Sequence, residues 1–293
     1  MVGPSLSNPG YLRLGGGMRA ILASLAAVLC TTAGTANAAE PIGFLICQPG
    51  GPDLSAEQTE VMDRLFRYLE KKMKLSKGQF QGHYANTTRS CDAALAEQPA
   101  IIFPSVPIYI QKKRELGLKP VAQLRINGKS NDHFYVMTRA DSTLDLAGLA
   151  GKTLIGTHLD SPRFLTDGVF GGKLKPDQLK LKPSKRALRA IRRVIRGKAD
   201  AVVLDGTQYR ALAGSRYEKE LKLLHTSPLV PTPPVTVVQD RIPPELASKL
   251  ADALVGMAKD DQGRAVLKTF QIEGFEATSR QQWANLEARL HRL

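Results

Sequence analysis

A chain of 293 residues is long enough for one large domain or two of ordinary size, and its 43% of apolar residues is enough for a real core. The formal charge of +14 suits anionic ligands or anionic surfaces. Five scattered histidines and cysteines outside any metal-ligand spacing give no basis for a metal site, and no cofactor is expected; 6% aromatic residues disfavour a stacking pocket for sugars.

Met18 is read as the true start, behind a Gly-, Ser- and Pro-rich extension. From it the chain runs MRAILASLAAVLCTTAGTANAAEP: one arginine, an apolar run, then Ala36-Asn37-Ala38, the layout of a secretory signal peptide cut after Ala38. The apolar run is short for a membrane span. Residues 1–38 carry Arg13 and Arg19 and no acid, so their removal leaves a charge of +12. It also removes Cys30, leaving Cys47 and Cys91 as a disulfide candidate in an oxidising compartment, the periplasm.

PIGFLIC, Pro41 to Cys47, reads as a strand stopped by Gln-Pro-Gly-Gly. Ser55 is placed as the N-cap of a helix carrying Val61, Leu65, Tyr68 and Leu69 at helical spacing up to Met73. Gly78 to Tyr84 is a second strand, Cys91 to Glu97 a short helix and Ala100 to Phe103 a buried strand. Val106 to Leu116 reads as helix, Val121 to Ile126 and Phe134 to Met137 as strands, and Leu144 to Leu149 as a helical turn. The strand Thr153 to Gly156 feeds a polar loop, THLDSP. Ser184 to Arg196 is an amphipathic helix with Leu188, Ile191, Val194 and Ile195 on one face and arginines on the other. Ala201 to Leu204 is a buried strand, and the proline-rich 227–235 segment is a connector. Helical patterns follow from Pro244 to Lys259, from Gly263 to Phe270 and from Ser279 to the end. The alternation predicts an α/β fold with a largely parallel sheet.

The ordered set DSTLDLAGLAGKTLIGTHLDSP, IRGKADAVVLDGTQY, LLHTSPLVPTPPV and LADALVGMAKDDQGRAVLKTFQIEGFE resembles the type II periplasmic solute-binding proteins. Within them it is similar to the phosphate/phosphite/phosphonate-type substrate-binding family of ABC transporters. The resemblance implies a two-lobed fold with a hinge and an inter-lobe cleft: lobe one from 39–131 plus 235–293, lobe two from 132–234. It implies capture of a small anionic solute, a phosphonate- or phosphate-like oxyanion, by a monomer that passes it to an ABC transporter permease in the inner membrane.

Ligands of open α/β sheets sit beyond the carboxyl ends of the strands. Applied to the resemblance, that rule nominates Gln48, Thr87, Thr88, Ser105, Thr157, His158, Asp160, Ser161, Arg163, Asp205 and Tyr209. Ser161 before Pro162 makes an N-cap and N1 pair, and Arg163 offers a two-pronged clamp for an oxyanion. In the family an acid matching Asp205 can meet an amino group. Asp160 departs from the family's hydroxyl-rich loop. The layout sets Cys47 and Cys91 at the ends of neighbouring strands, where a bridge would stiffen lobe one.

Two other classes compete. One is an exported ligand-sensing module of the same fold. The other is a serine-type hydrolase built on His158, Asp160 and Ser161, but Ser161 lacks a Gly-x-Ser-x-Gly frame. The reading adopted is a binding protein with no covalent chemistry. The arginine face of 184–196 reads as solvated, with an acidic partner as its alternative, and no nucleic-acid motif is present.

Overall fold

A computed structural model describes residues 40–51, 56–270 and 272–290. The signal peptide, its cut after Ala38 and the Ser55 cap lie outside the described residues.

The chain first lays down β1 (Ile42–Cys47), α1 (Ala56–Met73), β2 (Phe80–Ala85), α2 (Thr88–Leu95), β3 (Ile101–Pro104), α3 (Val106–Lys112) and β4 (Leu118–Arg125). A two-residue strand, β5 (Asn131–Asp132), leads to β6 (Tyr135–Arg139), β7 (Thr153–Gly156), β8 (Lys180–Pro183), α4 (Ala187–Ile195), β9 (Ala201–Leu204), α5 (Gly206–Arg210) and β10 (Leu221–Thr226). The chain then returns through β11 (Val230–Pro231) to β12 (Pro234–Val238), α6 (Pro244–Gly256), α7 (Asp261–Thr269), β13 (Gly274–Glu276) and α8 (Arg280–Leu290).

Two sheets result. The first has the order β13-β4-β12-β3-β1-β2 and the second β10-β6-β9-β7-β8. Strands β1, β3, β7 and β9 are short apolar runs, as strands covered on both faces must be. The sheets are mixed, which corrects the largely parallel expectation. β1 runs parallel to β2 and β3, and β7 parallel to β8 and β9, while β12, β13, β6 and β10 pair antiparallel. The cause is the return of the chain: β12 re-enters the first sheet between β3 and β4 from the opposite end. Between the sheets, β5 and β11 pair antiparallel, Val230 with Asp132 and Pro231 with Asn131, so both crossing segments run side by side.

Helices α1, α6 and α7 bury one side of the first sheet through Phe44, Phe66, Leu69, Leu250, Leu254 and Leu267. On α4, Ala190, Ile191 and Val194 pack with Val202 and Leu204 of β9. The C-terminal α8 lays Trp283 edge-on against Tyr109 and buries Leu286 and Leu290 beside Phe164 and Val169. Cys47 and Cys91 form a disulfide that ties the end of β1 to α2.

Asp260 locks α7 to α1. Its carboxylate accepts from the Gly263 amide at 2.8 Å and the Tyr68 hydroxyl at 2.9 Å, and pairs with Lys72 at 2.8 Å. The Lys72 bond, then the Gly263 amide, hold its pKa at about 2. A carboxyl depressed on folding stabilises fully above its unfolded pKa of about 4 and less as pH falls towards the folded value. Asp260→Ala should therefore lose about 1–2 kcal/mol at pH 7. Urea titrations should show the gap to wild type narrowing between pH 4 and pH 2.

Candidate functional site

The carboxyl ends of β1, β3, β7 and β9 converge where β5 and β11 cross. There a cavity of about 200 Å³ is lined from the first sheet by Gln48, Ser105 and Leu124, and from the second by His158, Asp205 and Thr207. Asp132, His133 and Phe134, on and just after β5, and Val230 to Pro233 on the returning segment complete the wall.

Each polar wall residue has a local reason for its place. Asp205 follows β9 and N-caps α5, accepting from the Gln208 amide at 2.8 Å. His158 lies in the loop after β7 and bonds Asp205 through Nε2 at 2.8 Å. A carboxylate only accepts, so Nε2 carries the proton. Phe134 meets the His158 ring edge-on at 5.5 Å and Phe164 at 5.2 Å, which fixes the imidazole's plane. Burial pushes the Asp205 carboxyl up, but the His158 hydrogen bond and charge and the Gln208 and Thr207 amides outweigh it, and the net shift is downward. Asp205 is thus an anion at neutral pH.

The hinge contributes a second pair. Asp132 accepts from Arg210 at 2.8 Å and from the His133 amide at 2.8 Å. Its Oδ2 lies 2.0 Å from where a side chain on residue 206 would begin, so only Gly206 lets α5 approach the hinge. His133 donates through Nδ1 to the Ser227 carbonyl at 2.6 Å. The Ser105 hydroxyl at the start of α3 is buried and makes no cap bond. No lysine or arginine is among these wall residues.

Of the nominated residues, Gln48, Ser105, His158 and Asp205 line the cavity. Thr157 accepts from Gln208 at 2.9 Å one position before His158. Ser161 caps the wide turn Phe164–Val169, accepting from the Phe164 amide at 3.2 Å. Arg163 points at α8, where it donates to the Leu290 carbonyl, and approaches Asp167 at 3.7 Å. Thr87 caps α2 in a reciprocal box with Ser90, and Thr88 opens that helix. Tyr209 stacks on Tyr135 at 3.9 Å, and Asp160 is half-buried in the loop after β7. The described bonds do not assemble a Ser161–His158 couple, because each side chain is engaged elsewhere. Asp132, His133 and Thr207 were not nominated from the sequence. The signal that could have found the first two is the polar run before β6 opposite the proline-rich connector.

One contact joins the two sides of the cavity. Gly50, at φ +85°, sits against Thr157 so closely that a β-carbon on it would lie 2.3 Å from the threonine's own. The two sides are closed on each other here.

The sequence matches the family described as "ABC transporter, phosphonate, periplasmic substrate-binding protein" over residues 52–283. The chain belongs to this family. Its members bind a small solute in the periplasm and deliver it to a membrane permease. No curated protein matches the sequence. Among solved structures, a Xanthomonas citri protein bound to ATP is 14% identical, with TM-score 0.69 over 86% of this chain and 96% of that one. A binding protein component of an ABC phosphonate transporter from Pseudomonas aeruginosa is 16% identical, with TM-score 0.62 over 86% and 87%. PhnD1 of Prochlorococcus marinus in complex with methylphosphonate is 12% identical, with TM-score 0.62 over 85% and 97%. At these identities the structures establish the two-lobed fold. No helix among the described residues is long and apolar enough to cross a membrane.

Proposed function

We propose that this family member is an exported, monomeric binding protein that captures one small oxyanion of the phosphonate class for an ABC importer, by affinity and lobe closure alone. The lobes meet at the β5/β11 pair, near residues 131 and 231. The observation that carries the reading is the cavity of about 200 Å³ with walls from both sheets at the crossing point. Its size suits a ligand of few heavy atoms.

The wall chemistry narrows the ligand. Ser105 and Thr207 supply hydroxyl donors, but each imidazole already donates its ring N–H within the protein and two carboxylates face the same space. An oxyanion without a donor of its own would meet Asp132 and Asp205 as repulsion. The ligand class favoured is therefore an oxyanion that also carries an amine or hydroxyl.

A thermal-shift series with phosphate, phosphite, methylphosphonate, amino- and hydroxyalkylphosphonates, sulfonates and carboxylates tests this, since a ligand held by the folded state raises the melt by mass action. The largest shift is expected for a donor-bearing phosphonate. No shift with any of them would overturn the ligand class. Closure has its own test. Gly50→Ala overpacks the Thr157 contact, a type of change that costs about 1–3 kcal/mol, so affinity for a ligand found in the series should fall about 5- to 150-fold by calorimetry. Unchanged affinity would mean that the Gly50–Thr157 contact is not part of the bound state.

A further inference from the structure

Between Lys180 and Lys198 lie nine cations and no acid, and five of the nine are arginines. The helix α4, which carries three of them with the rest on its flanks, is fixed by its apolar stripe, Ala190, Ile191 and Val194, against the second sheet. Its outer face is left to Lys185, Arg186, Leu188, Arg189, Arg192 and their neighbours, which border a shallow basin of about 740 Å³. Lys185, Arg189, Arg193, Arg196 and Lys198 make no ion pair among the described residues. Arg192 instead donates to the Tyr217 hydroxyl at 2.8 Å, and Arg216 donates to the same oxygen at 2.7 Å, so a further cation joins the field. None of this basin belongs to the solute cavity.

We propose that this face is a docking surface for the anionic phospholipid headgroups of a membrane. Like charges held along about 16 Å of helix and flank repel one another, and the fold gains when phosphates are supplied between them. The guanidinium fork matches a phosphodiester better than an ammonium does. Leu188, 44% exposed among these cations, is the large apolar group positioned to enter the headgroup layer. A protein partner is the less favoured occupant. Stable protein interfaces centre on aromatic and apolar anchors in pockets, whereas this array offers repeated cations without acids to set a register. Such an array suits a fluid lattice of phosphates. For a family whose members deliver to a membrane permease, attraction to the bilayer raises the local concentration at the delivery point.

The test is co-sedimentation of the purified protein with protein-free vesicles of phosphatidylcholine alone or with phosphatidylglycerol, at ~0.15 M and ~0.5 M salt. Retention on the anionic vesicles alone, reduced at the higher salt, is expected. Arg189→Gln with Arg196→Gln should lower the apparent vesicle affinity about thirtyfold, as two cations near a charged bilayer contribute about 1 kcal/mol each. Lys71→Gln with Lys74→Gln, exposed cations on and just after α1, should leave it unchanged, and melting curves confirm that both variants fold. No retention at ~0.15 M salt, or equal loss in both variants, overturns the proposal. So does retention by native membranes but not by protein-free vesicles, which assigns the face to an acidic protein.

Discussion

Replacing Cys47 and Cys91 together by alanine should lower stability by about 4 kcal/mol. The bridged residues are 44 positions apart, and closing a loop of that length removes about 4 kcal/mol of unfolded-state entropy in the chain-entropy account. Both cysteines are fully buried, so the change also removes packing inside the cluster that runs beneath the cavity. For a folded body of this size the melt should fall by roughly 8–16 °C, read by calorimetry on the oxidised wild type and the double variant. A fall within about 2 °C would mean that the native packing, and not the bridge, holds β1 to α2. The effect should reach the site as well. Gln48 follows Cys47 directly and donates to the Phe103 carbonyl at 3.3 Å, so loosening β1's end loosens a wall residue.

The bridge was legible because the signal-peptide reading of residues 18–38 leaves two cysteines and no third. Apolar runs such as AVVL were legible too, since their periodicity is the burial pattern itself, and so were Ile191 and Val194 on α4, whereas Leu188, expected on the same face, lies 44% exposed among the arginines. What escaped was structure set by partners far away in sequence. KLKP at β8 is polar and lies on the sheet edge, and LKLLHT at β10 breaks register between Leu223 and His225. Residues 234–238 form a fully buried strand whose proline sits at its first position, where no ladder donor is needed, so the connector reading of 227–235 runs into the strand and misses it. The site divides in the same way. His158 and Asp205 follow strands that the sequence announces, and the carboxyl-end rule reached them. Asp132 and His133 reach the cavity because two-residue strands cross at the hinge, and no local pattern encodes that crossing. Arg163 failed to reach it because α8, docked from the far end of the chain, offers the Leu290 carbonyl instead.

Asp205→Ala should cost about 2–3 kcal/mol at neutral pH and abolish the ligand-induced thermal shift. The side chain performs two tasks in one place: it caps α5 through the Gln208 amide, and it holds His158 at 2.8 Å. A lost cap is worth about 1 kcal/mol, and a lost hydrogen bond to a charged group about 1.5–3 kcal/mol. Asp205→Asn separates the tasks, because its amide oxygen can still accept from Gln208 while the negative charge is gone. It should recover about 1 kcal/mol of stability but not the response to ligand. The sign with pH follows from the depressed carboxyl. A group whose pKa falls on folding stabilises above its unfolded value, about 4, and loses that contribution as pH drops through the folded value below it. The stability gap between wild type and Asp205→Ala should therefore be full at pH 7, still full near pH 5, and smaller below pH 4. A gap that persists unchanged at low pH would show that the carboxylate's charge is not what orders His158, and the cavity's polar wall would then rest on the α5 cap alone.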